Sequence, residues 1–205
     1  MKTQDESGID LYDELKIWQT VLKKLPQLSY AGDEVLQTPC RLITPEDFSS
    51  GRVTKWFDLM RNTLKTYRQI TGFGRGLAAN QVGINTQIIV TYVDDAFRAY
   101  INPTIIEQSE DKAVYGELCI SLGLLMGDIV RPVEVTVESL DVYGKKQQEH
   151  AMGIMSRLLQ HEIAHLRGQL CLDEAMPASL RIIRHGQAEV FGQKLKLLRE
   201  MRVEI

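Results

Sequence analysis

The stretch that most constrains this chain is His161-Glu162-Ile163-Ala164-His165, an HExxH sequence near the end of a long apolar-periodic run. On a helix, positions i and i+4 lie one turn apart on one face, so His161 and His165 can aim two imidazole nitrogens at a single point. Glu162 follows the first histidine directly, where its carboxylate can reach a water on a metal but cannot replace a ligand. That is the chemistry of a mononuclear metallohydrolase: two neutral nitrogens hold the ion and a carboxylate takes a proton from water. Two surface histidines on a solvated helix would be spelled the same way, so the rest of the chain has to decide between them.

A catalytic site of this kind needs a third protein ligand and one open position. Downstream, the candidates are Asp173, Glu174, His185 and Glu189, and the spelling HExxHxxGxxC puts Cys171 where an extended metalloprotease pattern has a histidine. Upstream, about forty residues away, Cys119 is the alternative, a soft thiolate that would make a site unlike the ordinary protease.

The remaining chain supplies the frame. Residues 9–25 read as a helix, with Leu11, Leu15, Trp18, Val21, Leu22 and Leu25 at three- and four-residue spacing and Pro26 as the stop. Residues 31–50 look irregular apart from the cap-like Thr44-Pro45-Glu46-Asp47. A second helix is expected over 53–71, with Trp56, Phe57, Met60, Leu64 and Tyr67 on its buried side. Residues 72–83 are glycine-rich; no strand precedes them and no Lys-Ser/Thr closes them, so they are a poor phosphate loop and a better place for close backbone approach. Within them Gln81 offers an amide N–H to a site.

Residues 87–93 read as a buried strand, with a turn at Asp94-Asp95 and a returning strand over 97–101. Asn102-Pro103 reads as a turn before a short strand over 104–108, and residues 133–140 alternate as a half-exposed strand ahead of a Tyr143-Gly144 turn. The motif helix is expected over 151–167, with Ile154, Leu158, Ile163 and Leu166 facing the core and Gly168 at its C-terminus. A last helix is expected over 188–202. Helices interleaved with antiparallel strand pairs argue for an α+β domain.

A formal net charge of -3 makes no case for DNA or an anionic membrane, and no apolar run approaches the ~20 residues of a membrane span. Cys40, Cys119 and Cys171 are odd in number and lack CxxC spacing, which fits reduced thiols. The opening MKTQDESGID has neither an apolar signal core nor an Arg-rich transit character, so the expected location is cytoplasmic.

Three stretches in order carry a resemblance: Gly74-Arg75-Gly76-Leu77-Ala78-Ala79-Asn80-Gln81-Val82-Gly83, then Glu117-Leu118-Cys119-Ile120-Ser121, then His161 through Gly168. They are similar to the GΦGLAAxQVG, EGCΦS and HExxHLxG motifs of peptide deformylases, where Φ is apolar. The resemblance runs from about residue 31 to the C-terminus and leaves residues 1–30 as an N-terminal helical extension of a catalytic domain over 31–205. It implies antiparallel sheets packed around a central HExxH helix, with a C-terminal helix. It also implies one divalent ion, Fe²⁺ or Zn²⁺, held by Cys119, His161 and His165.

Glu162 would then be the general base and acid, and Gln81 with the backbone N–H of Ile120 would hold the formyl oxygen. Substrates would be nascent formyl-methionyl peptides laid as an extra strand. Gly76, Leu77 and Leu118 would form the edges, and Ile154 and Leu158 would line the methionine pocket. The basic C-terminal helix, with Lys194, Lys196, Arg199 and Arg202, would serve for docking to the ribosome.

Four positions depart from the pattern. Arg75 stands where the family is apolar, Leu118 where it has glycine, Ala164 where it has aspartate, and Cys171 where it has phenylalanine. None removes a ligand or the base, so they bear on specificity and rate. Two competing readings are a zinc endopeptidase with a downstream third ligand and a non-enzymatic relative that binds a peptide terminus.

Overall fold

In the computed structural model, which describes residues 11–182, the first expected helix becomes α1 (Leu11–Lys24). Trp18, Val21 and Leu25 fall within one narrow stripe and pack into the main core, whereas Leu15 and Leu22 are each 52% exposed. Leu15 and Leu22 belong to the same three- and four-residue series, but at 100° per residue they sit at the flank of that stripe.

Two short helices, α2 (Glu34–Gln37) and α3 (Pro45–Ser49), break up the segment read as irregular. α3 starts at Thr44, whose backbone N–H donates to Asp47 Oδ2 at 2.9 Å, with Pro45 in the first turn where a missing N–H costs nothing. The second expected helix is α4 (Arg52–Thr71). It buries Val53, Met60, Leu64 and Tyr67 and ends at Gly72, which takes φ +78° and donates its N–H to Arg68 O. Trp56 and Phe57 pack only partly buried at its edge.

The glycine-rich segment resolves into β1 (Gly76–Ala78) and a 3₁₀ turn over Ala79–Val82. β1 pairs antiparallel with β2 (Ile88–Val93), and β2 pairs with β3 (Ala96–Gln108). Asp94 and Asp95 both take positive φ, 51° and 57°, as the two-residue turn of a tight hairpin requires.

The turn read at Asn102-Pro103 is not a turn. β3 runs through it, with a register shift against β6 (Glu134–Leu140) between Ile101 and Thr104. Asn102 adopts φ 51°, and its side-chain amide exchanges two hydrogen bonds with the backbone of Ile43. A bulge is where a strand tolerates a proline that has no ladder N–H to give.

The strands β4 (Lys112–Leu118), β5 (Leu125–Pro132), β7 (Lys146–Met152) and β8 (Arg181–Ile182) complete two antiparallel sheets. One is ordered β1-β2-β3-β6-β7 and the other β4-β5-β8, so β1 and β4 are both edge strands. The motif helix α5 (Gly153–Leu166) begins two residues later than expected because Ala151 and Met152 finish β7. α5 touches β1, β2, β6 and β7 of the larger sheet and β5 of the smaller. The architecture is α+β with antiparallel sheets and few helices. The helix expected over 188–202 lies outside the described residues, among which no helix is long and apolar enough to cross a membrane.

Candidate active site

The helical spacing of His161 and His165 does what the sequence requires: both rings lie on the inner face of α5, 5.0 Å apart between centroids. β4 ends at Leu118 and delivers Cys119 beside them, with Cys119 Sγ 3.1 Å from His165 Nε2. Ligand atoms of Cys119, His161 and His165 all lie within 4.8 Å of one another, and all three residues are buried. A soft sulfur and two imidazoles converging in this way suit a single Fe²⁺ or Zn²⁺ ion. Burial raises the Cys119 thiol well above its ordinary value, so a thiolate there needs a cation beside it. Burial, then the neighbouring His161, lowers His165, which keeps its imidazole neutral and its lone pair available.

The two histidines are held differently. His161 Nδ1 lies 2.8 Å from Glu117 Oε2, which leaves Nε2 for the site. His165 Nδ1 is buried with no hydrogen-bond partner among the described residues, and at its neighbour Ala164 there is no carboxylate to offer. Glu117 is itself a hub. Arg131 reaches it through two contacts of 2.6 and 3.0 Å, and Arg157 through one of 2.6 Å. Burial pushes the Glu117 carboxyl up, but the hydrogen bonds from His161 and Arg131 outweigh that and hold it well below the usual carboxylate range. For His161 burial presses downward, and the bond to Glu117 more than offsets it, to about 9.

Sequence reasoning quoted Glu117 within its motif without giving it a task, and it missed Arg131 and Arg157. The available signal was a charged residue beside a ligand in an otherwise apolar stretch. The partners, fourteen and forty residues away, carried no local mark.

Glu162 points into the same space. Its Oε2 is buried without a hydrogen-bond partner among the described residues, and burial raises the carboxyl to about 7. The carboxylate lies over Gly76: a Cβ there would meet Glu162 Oε1, with Glu162 Cδ at 2.8 Å and Leu158 Cδ1 at 2.7 Å. That close approach is the physical reason for glycine at this position.

Gln81 is buried beneath Cys119. Its Oε1 accepts from Ala78 N–H at 2.8 Å, and its Nε2 donates to Ser121 Oγ at 3.1 Å and toward Cys119 Sγ at 3.4 Å. A cleft of about 200 Å³ opens beside these groups. Of the residues named from sequence, Gly76, Gln81, Leu118, Cys119, Ile120, Ile154, Leu158, His161 and Glu162 line it. Leu77 and His165 do not: the Leu77 side chain is fully buried in the main core, so only its backbone remains for an edge role, and His165 is fully buried. Ile154 and Leu158 are partly exposed to the cleft rather than buried like Ile163 and Leu166.

Leu118 is not among the positive-φ residues, so it needs no left-handed backbone and acts by narrowing the cleft. Cys171 is buried in one apolar cluster with Cys119 and Ile129. Ligand atoms of Glu117, His161 and Cys171 also converge, but the Glu117 carboxylate is already committed to two guanidinium groups and an imidazole. The downstream ligands of an endopeptidase are otherwise engaged: Asp173 accepts from Leu170 N–H, and Glu174 pairs with Arg131. His185 and Glu189 lie outside the described residues.

With this geometry in place, a family model described as polypeptide deformylase matches residues 26–180. A peptide deformylase of Thermosynechococcus vestitus is 36% identical over 177 residues, covering 83% of this chain and 89% of that one. The chloroplastic/mitochondrial peptide deformylase 1A of Arabidopsis thaliana is 32% identical over 178 residues, 78% of this chain and 64% of the relative. Among solved structures, the peptide deformylase of Thermotoga maritima superposes with a TM-score of 0.67 at 31% identity, over 73% of this chain and 97% of that chain. That of Synechococcus elongatus in complex with actinonin gives 0.63 at 30% identity, over 82% and 84%.

Proposed function

The chain belongs to the polypeptide deformylase family, and on that premise we propose that Cys119, His161, His165 and Glu162 together hydrolyse the N-formyl group of nascent formyl-methionyl peptides. It is a peptide deformylase that uses one divalent metal, Fe²⁺ or Zn²⁺. The observation that carries the reading is the meeting of a buried thiol, two imidazoles and an unpartnered buried carboxylate oxygen at one end of an apolar cleft. Cys119 Sγ, His161 Nε2 and His165 Nε2 would hold the ion. When bound, it supplies Lewis acidity that polarises the formyl carbonyl and makes a water ionisable near neutrality.

The protein's own groups do the rest. Glu162, with a carboxyl raised to about 7 by burial, takes a proton from the attacking water and returns it to the departing amine nitrogen. The C–N bond breaks, leaving formate and a free N-terminus. Gln81 Nε2, on the Cys119 side, and the Ile120 backbone N–H donate to the carbonyl oxygen as negative charge gathers on it. The peptide lies extended between the two edge strands, beside Gly76 of β1 and Leu118 of β4, with its first side chain against Ile154 and Leu158. In this reading α5 is the element around which both sheets are organised, residues 31–205 are the catalytic domain, and residues 1–30 are its extension.

Formate release from a formyl-Met peptide, with anaerobic Fe²⁺ and separately with Zn²⁺, tests the activity; no formate with either ion overturns it. The expected location is the cytoplasm. Ribosome docking rests on residues beyond the described ones. Truncation after Gln187 should spare turnover of a short formyl peptide and reduce co-sedimentation with ribosomes at low salt, and equal binding with and without the segment would refute the docking.

A further inference from the structure

All of α1 precedes the stretch 26–180 that the family model matches, yet one of its side chains supports the active site from behind. Trp18 lays the benzene half of its indole against Gly123: a Cβ built there would stand 3.3 Å from Cζ2 and 3.5 Å from Cη2. The same side chain meets Tyr30 edge-on, with ring centres 6.5 Å apart and planes at 75°. Gly123 closes the 3₁₀ turn Ile120–Leu122, which follows Cys119 directly and carries the Ile120 N–H.

The turn depends on its neighbours. Leu122 N–H donates to Cys119 O at 3.0 Å, and the turn ends on Gly123 at φ +67° and ψ -120°. Glycine has more backbone freedom to lose than any other residue, so this is where the turn loosens most easily. Further support comes from the N-terminal side. Ala31 N–H donates to Ser121 O at 3.0 Å and Ser29 N–H to Gln81 O at 2.8 Å, so residues 29–31 tie together the two segments that bear Gln81 and Ile120. Ile120 itself belongs to one buried cluster with Val21 of α1. Trp18 bears on both supports, on Gly123 directly and on the tie through Tyr30 at its middle.

We propose that Trp18 is a positioning residue for the oxyanion donors: through Gly123 and Tyr30 it fixes the turn that aims the Ile120 N–H. This rests on the deformylase reading of the site. A donor stabilises the transition state only if it already points where charge will gather, and removing one outright costs about 10²–10³-fold in kcat. Loosening a donor without removing it costs less, about tenfold. The bond is worth more to the oxyanion than to the ground-state carbonyl, so the loss falls on kcat and leaves KM as it was.

The test compares the metal-loaded parent with Trp18→Ala, and with Leu15→Ala as a control on the exposed flank of the same helix. Formate release from a formyl-Met peptide, measured well below both melting temperatures, gives kcat and KM. Backbone hydrogen exchange gives a readout that needs no turnover. In Trp18→Ala, kcat should fall by about tenfold with KM unchanged. The Leu122 and Ala31 amides should exchange faster while those of β2 stay as in the parent. Leu15→Ala should match the parent in both. Unchanged kcat in Trp18→Ala overturns the proposal, as does faster exchange in β2 along with the turn, which would make Trp18 a general stabiliser. If the parent hydrolyses no formyl peptide, the deformylase reading fails, and exchange still decides whether Trp18 holds the turn. Should Trp18→Ala fail to fold, Trp18→Phe, which keeps a ring beside Tyr30 but is too short to cover Gly123, gives the same comparison.

Discussion

His161 and Glu117 meet at 2.8 Å through Nδ1 and Oε2, a contact that reaches from α5 to the penultimate residue of the edge strand β4. It selects the tautomer that leaves Nε2 for the proposed metal, and it couples that proposed ligand to the pair of guanidinium groups behind Glu117. His165 has no equivalent support among the described residues, so the two histidines are not interchangeable.

Glu117→Gln should therefore weaken metal binding by about 10- to 100-fold, as loss of a ligand's supporting carboxylate generally does. It also leaves Arg131 and Arg157 without their shared anion, so the melting temperature should fall as well. Competition with a chelator measures the first effect and thermal denaturation the second. Unchanged metal affinity with a lowered Tm would make Glu117 a structural residue only.

Glu162→Ala separates base from ligand. The metal content should stay as in the parent, because the Cys119–His161–His165 set remains complete, while kcat/KM drops by at least ~10². A variant that loses its metal would show the coordination set to be misassigned.

Gly76→Ala places a methyl group where the Glu162 carboxylate and the Leu158 side chain already stand. The fold should survive, because β1 keeps its backbone pairing with β2. Activity on a formyl-Met peptide should drop by about tenfold or more as the base is displaced, since small misplacements of a catalytic group are costly. Circular dichroism and kcat/KM together check this, and full activity would mean that Glu162 relocates without penalty.

Leu118→Gly removes a side chain that narrows the cleft without relieving any backbone strain. The variant should accept a wider range of second residues, or turn over formyl-Met peptides with higher kcat/KM. Kinetics on a panel of formyl-Met-X peptides would decide; an unchanged profile would place the side chain outside the substrate's path.

Asp47 gives a pH-dependent expectation far from the site. The Arg41 hydrogen bond, then the Thr44 backbone N–H, hold its carboxyl well below the usual carboxylate range in the folded protein. A depressed folded value contributes stability that is complete above the unfolded value of about 3.9 and is lost as pH falls toward the folded one. Asp47→Asn should lower Tm at pH 7, and its deficit against the parent should shrink between about pH 4 and pH 2. Thermal melts across that range provide the check; a deficit that stays constant with pH would assign the loss to geometry rather than charge.

What the sequence determined by itself is what a few neighbouring residues can dictate. The 3.6-residue period placed α4 and the HExxH helix nearly to their ends and set two imidazoles on one face. Turn chemistry marked Asp94-Asp95. The three ordered motifs named the family, and they carry the proposed ligands and base, with Cys119 among them through resemblance rather than spacing.

Strands β4, β5 and β7 were not legible as such. The sequence of β7, KQQEHAM, is almost wholly polar, and β5 carries glycine, aspartate and arginine among its apolar residues, so neither shows the alternation of an isolated half-buried strand. Asn102-Pro103 spelled a turn because its real partner, the backbone of Ile43, is 59 residues away. Only the tertiary structure put Glu117 against His161, Arg131 and Arg157, and only it turned Arg157 into a wall of the cleft. The physical reason is that strand pairing and buried charge pairing are chosen by partners distant in sequence, and a charged residue carries no local mark of which opposite charge it will meet.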